Sequence, residues 1–120
     1  MNVSFEGYNE QIATFEAEPG VEAGKPVKIT ENGKVSLCSI AGEIPCGICV
    51  SVRGGYASVQ LGGYVNTTYT INNEEGAVNP MLGFSYLAAN GSGAFKGASD
   101  GLKVLVVEID SKNNKIGFIF

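Results

Sequence analysis

The sequence contains no histidine. Its absence removes the Ser-His-Asp and Cys-His arrangements of nucleophilic catalysis. Charge is also scarce, at 17% of residues, which is low for a soluble domain. The eight basic residues are scattered and the net charge is -4. A phosphate-backbone partner needs clustered Lys and Arg, so no nucleic-acid partner is expected. No apolar run approaches the roughly 20 residues that span a bilayer, so no membrane partner is expected. The first residues show no basic stretch followed by an apolar one, and no export signal is expected.

Cysteine is limited to three residues, Cys38, Cys46 and Cys49. An odd count without an export signal argues against a disulfide framework. Cys46-Gly-Ile-Cys49 has redox or half-zinc spacing, but no second pair completes a zinc site. A redox pair sits at a helix N-terminus, whereas this context is a strand. The three thiols read as small buried apolar groups. Carboxylate pairs such as Asp100 with Asp110, or Glu74 with Glu75, fall in turns and read as solvated. Asp110 to Asn114 resembles only the start of a calcium loop, with no later bidentate Glu. No enzyme activity, cofactor or metal is expected.

What the chain has is glycine, 17 of 120 residues, and a hydrophobic fraction of 44%. Many turns and short strands fit these figures, with enough apolar material for a core. The clearest stretch runs from Cys46 to Tyr69. Cys46, Ile48, Val50 and Val52 alternate with Gly47, Cys49, Ser51 and Arg53, which predicts a strand with the first set on its apolar face. Gly54-Gly55 suits a two-residue hairpin turn. The return strand places Ala57, Val59 and Leu61 on one face. Gly62-Gly63 interrupts it, and Val65, Thr67, Tyr69 and Ile71 resume. Elsewhere, Val27 to Thr30, the turn at Asn32-Gly33, and Val35 with Leu37 form a hairpin. Ser39 to Pro45 is a loop. Phe84 and Tyr86 suit a strand, while Leu87-Ala88-Ala89 leaves that segment open. Leu102 to Ile109 is apolar on both faces and predicts an interior strand. Ile116, Phe118 and Phe120 share one face of a last strand.

The sum is an all-β fold: a small antiparallel β-barrel or sandwich, residues 21–120, preceded by an N-terminal arm, residues 1–20. No internal repeat is evident. In the arm, Tyr8, Ile12 and Phe15 fit a short amphipathic helix, and an extended segment docking on a neighbouring subunit fits equally well. Tyr56, Tyr64 and Tyr69 could line one side of the central ribbon, and a carbohydrate-binding or adhesive β module is the alternative reading they raise.

Three stretches carry a resemblance. They are Val21-Glu-Ala-Gly-Lys-Pro-Val-Lys-Ile-Thr with its following Asn-Gly-Lys-Val, then Cys46 to Val65, then Val106-Val-Glu-Ile-Asp with Ile-Gly-Phe. In order and spacing the chain resembles the capsid decoration proteins of tailed phages, known as capsid cement or head fibre proteins, from Val21 to Phe120. The resemblance implies a non-enzymatic virion protein, made in the bacterial cytoplasm and bound outside the major capsid protein lattice, commonly as a homotrimer. On that basis Phe5, Tyr8, Ile12 and Phe15 are expected to contact the capsid, and Tyr64, Phe118 and Phe120 to lie at the subunit interface.

Overall fold

The computed structural model describes residues 11–120. The described residues form ten strands and no helix. They are β1 (Gln11–Ala17), β2 (Pro26–Glu31), β3 (Lys34–Leu37), β4 (Gly47–Arg53), β5 (Tyr56–Gly62), β6 (Tyr64–Thr70), β7 (Gly83–Ala89), β8 (Phe95–Ala98), β9 (Leu102–Asp110) and β10 (Lys115–Ile119). The all-β fold expected from short strands and glycine turns is what the chain adopts.

The strands close into two barrels, ordered β1-β3-β2-β4-β5 and β6-β8-β7-β9-β10. The two orders are the same. In each, the first strand lies parallel to the third and antiparallel to the fifth, and the other neighbours are antiparallel. The chain is thus a structural duplication. The likeness extends to a defect. The β4–β5 ladder skips Val50, between the pairs Cys49↔Val59 and Ser51↔Ser58. The β9–β10 ladder skips Val107, between Val106↔Phe118 and Glu108↔Gly117. Superposing the bulges makes Ile48 equivalent to Leu105, Cys49 to Val106 and Val59 to Phe118.

The bulge corrects the sequence reading of β4. An extra residue re-aims the side chains on one side of it. Cys49, placed on the opposite face from Ile48, points into the first core, while Val50 and Val52 are exposed. Ile48 points the other way and is buried in the second core with Val65, Tyr69, Leu87, Phe95, Val106, Ile116 and Phe118. The first core holds Val21, Val27, Val35, Cys49, Ala57 and Val59. Gly47 precedes this divergence because nothing larger fits: a Cβ there would overlap the Gln60 carbonyl oxygen.

Turns follow the glycines. Gly54 and Gly55 both take positive φ, 58° and 82°, as a hairpin with two central residues in the left-handed region requires. The Gly62-Gly63 interruption is where the chain leaves the first barrel for the second. There Gly63 exchanges two backbone hydrogen bonds with Phe120, at 3.0 and 3.1 Å. The buried Gln60 side chain donates to the carbonyls of Gly62 and Tyr64, so the crossing is held from both sides. The loop at residues 39–45 is a strap between barrels. The Gly42 amide donates to Ala89 and the Ala89 amide to Glu43, each at 2.9 Å. Past Leu87, β9 no longer accompanies β7, and the strap takes its place. That is why Leu87, Ala88 and Ala89 are all buried although a half-exposed strand would alternate.

Gln11–Ala17 is extended rather than helical. Within the chain it pairs with β5 from Gln11↔Gly62 to Glu16↔Tyr56, and with β3 at Glu16↔Lys34 and Ala17↔Val35. Removing residues 1 to 20 would therefore leave β3 and β5 with unpaired edges. That variant is expected to lose the cooperative urea transition or to aggregate. A variant lacking residues 1 to 10 keeps all ten strands and is expected to keep the transition.

Candidate functional site

The proposed contact residues fall in different places. Phe5 and Tyr8 lie outside the described residues. Ile12 is exposed near the start of β1, and Phe15, three residues on and therefore on the opposite face, packs against the first core. Phe118 is buried in the second core, edge-on to Phe95 at 5.6 Å between ring centroids. It has no surface to offer a second subunit. Phe120 is half-buried against the same core. Tyr64 is half-buried on the outside of the second barrel. Its hydroxyl donates to the Glu108 carboxylate, which also accepts from the Asn66 amide at 3.1 Å. Gly117 makes room for this cluster, since a Cβ there would overlap the Glu108 side chain and the Tyr64 hydroxyl. Burial, and then the carboxylate, push the Tyr64 phenol above its ordinary value. The three tyrosines share no face: Tyr69 is in the second core and Tyr56 stands exposed at the first hairpin.

The surface that sequence reasoning missed is the outer face of β7 and β9. Met81, Leu82 and Phe84 are 68%, 66% and 71% exposed, and Tyr86 follows them. The ladder continues the row: Phe84 pairs with Leu105, Leu105 with Ile119, and Ile119 with Tyr64. Leu105 alternates with the buried Val104 and Val106, so it points outward. The Met81–Leu82 segment is fixed over the start of β7 by two hydrogen bonds between Ser85 Oγ and the Met81 backbone. Lys103 lies over the Phe84 ring, 5.0 Å from its centroid. The one sequence signal was that Leu102 to Ile109 is apolar on both faces. β9 is interior to its sheet, as expected, but only one of its faces has a core to fill.

A separate cavity of about 640 Å³ opens beside the strap, lined by Gly42, Thr70, Asn72, Asn79, Lys96 and Asp100 among others. Two of its asparagines bond to its own walls. Asn79 donates to the Asn72 carbonyl and accepts from the Asn72 amide, and Asn72 Oδ1 accepts from the Glu74 amide. Among the described residues no group of three His, Cys, Asp or Glu side chains converges as a metal site.

The thiols are poor nucleophiles. Burial pushes Cys38 up to about 11, and burial also raises Cys46 and Cys49. A disulfide reagent at about pH 8 is expected to label none of them rapidly in the folded protein, and all three in guanidinium. Rapid native labelling would show the barrel ends open.

The strap has its own electrostatic tie. Lys28 donates to Glu43, whose other oxygen accepts the Ile40 amide at 2.9 Å. The Lys28 hydrogen bond, then the Ile40 amide, hold the Glu43 carboxyl below its usual 4.5, and the same bond raises Lys28 above 10.5. A depressed carboxyl contributes stability that is present above its ordinary value and lost as pH falls through the folded one. A raised ammonium contributes stability that is lost as pH climbs through its folded value. The tie therefore holds between about pH 4.5 and 10.5. Melting curves of the protein and of Glu43→Gln are expected to differ across that window and to converge in acid.

Compared with known proteins, the chain matches no family model and no curated sequence.

Proposed function

We propose that the protein is a structural component of a phage or prophage particle that decorates the outside of the capsid and stabilises it, without enzymatic activity. The observation that carries this reading is the apolar outer face of β7 and β9. A row of large apolar side chains left in water marks a surface that other protein covers, so the chain reads as a part of an assembly. The order and spacing of the three stretches that resemble capsid decoration proteins supply the kind of assembly. Two of them lie in separate barrels, at Val21 to Val35 and Val106 to Phe118, and the third crosses between them, so the resemblance covers both halves of the duplication.

The reaction to be explained is mechanical. A homotrimer bound over neighbouring subunits of the major capsid protein ties them together against the pressure of packaged DNA. Several modest contacts become strong once a lattice presents them together. The segment carrying Phe5, Tyr8 and the exposed Ile12 is assigned to the capsid contact. Phe15 is partly buried against the first core, so the assignment leans on the other three. A negative protein without basic clusters suits a position away from packaged DNA.

The test is co-sedimentation of the purified protein with capsids of the phage or prophage that carries its gene. Saturable binding is expected, weakened at least about tenfold when residues 1 to 10 are removed, which corresponds to 1.4 kcal/mol. Decorated capsids are expected to resist heat and osmotic shock better than bare ones. No binding at large excess would overturn the reading.

A further inference from the structure

We infer that the outer face of β7, β9 and β10 binds the first barrel of a second copy of this chain, in a head-to-tail contact that repeats the contact between the two barrels of one chain. The argument starts from the duplication. Superposing the Val50 and Val107 bulges makes Ile48 of β4 equivalent to Leu105 of β9, and Gln60 of β5 equivalent to Ile119 of β10. The two equivalent faces have different fates. On the first barrel, Ile48 and Gln60 are each only 6% exposed. Ile48 reaches out of its own barrel into the core of the second, and Gln60 bonds to the carbonyls at the crossing. On the second barrel, Leu105 and Ile119 lie half-buried in the outer row, and Phe84, Met81 and Leu82 near them are the most exposed large apolar side chains among the described residues.

A face that a barrel covers in one half of the chain is, in the other, left exposed at Phe84 and Tyr86 among the described residues, and a second copy supplies the further barrel. The receiving side is also present. The first core is edged by Phe15, Ala17, Cys46 and Leu61, all only partly buried. Leu105 would enter there as Ile48 enters the second core. Phe84 and Tyr86 stand 71% and 42% exposed on this face, and Leu105 and Ile119, each half-buried, continue it across the sheet. Two different surfaces meet in such a contact, so it propagates from copy to copy and closes into a ring when the rotation allows. The inference rests on the assembly reading above only in requiring self-association; it does not require a capsid.

The experiment is the mass of the full chain in solution by light scattering, at concentrations up to about 0.1 mM, which detects contacts as weak as that dissociation constant. Phe84→Lys and Leu105→Lys are compared with Phe84→Leu, and a thermal melt of each checks the fold. The expected result is a closed oligomer of more than two copies that both lysine variants convert to folded monomer and Phe84→Leu retains. A wild-type monomer throughout that range overturns the inference, as does an oligomer indifferent to both lysines. Capsid binding that survives in a protein monomeric throughout would sink the inference and spare the proposed function. An oligomer broken as expected, in a protein that ignores capsids, would do the reverse.

Discussion

The structure depends on one strand facing two ways. In β4, Cys49 fills the first core and Ile48 fills the second. A strand that alternates between core and solvent needs only one partner layer. This strand has a core on each side, and the second belongs to another barrel. The divergence fixes how the barrels meet. Gly47 must be glycine because β5 runs against it. Gln60, opposite Ile48 on the ladder, is buried with it and spends its amide on the crossing. The strap at residues 39–45 then replaces the missing neighbour of Ala89. Remove the apolar side chain of Ile48 and the second core loses the one buried side chain that the first barrel lends to it.

Most of the local structure was legible in the chain. Gly54-Gly55 and Asn32-Gly33 marked hairpins because glycine supplies the positive φ that these turns need. Ala57 and Val59 were read onto one face of their strand, and both are buried, whereas Tyr69, grouped with Tyr56 and Tyr64 on one side of the ribbon, is in the second core. What failed is instructive. The alternation at Cys46 to Val52 was read as one unbroken face, but a bulge at Val50 reverses the sense, and no residue type announces a bulge whose extra member is Val. Gly62-Gly63 was read as a bend in one ribbon. It is the boundary between barrels, because periodicity reports the pleat of a strand and not which sheet it joins.

The duplication was invisible for a related reason. Its halves agree in topology and in the position of a bulge, not in side chains. Cys49 stands for Val106, Val59 for Phe118 and Ser58 for Gly117. Core volume is redistributed between the halves, with the large aromatics Phe95, Phe118 and Tyr69 in the second and smaller Val and Ala in the first. Cores accept such exchanges while total volume and pattern hold. The exposed apolar face was hidden similarly. Leu102 to Ile109 announced two apolar faces, and only the sheet shows that one of them lacks a cover.

Closure of each barrel by its own first and last strands has a consequence for the order in which the molecule comes into being. The first barrel needs nothing beyond Gly62, so its ladder can be complete while the rest of the chain is still being made. Its β4, however, then carries Ile48 as an orphan, a greasy side chain awaiting a core that arrives only when β10 has been synthesised and zipped to β6. Pairings so distant along the chain form slowly. For that interval the nascent chain presents on one half the same kind of unsatisfied apolar surface that the finished protein retains on the other.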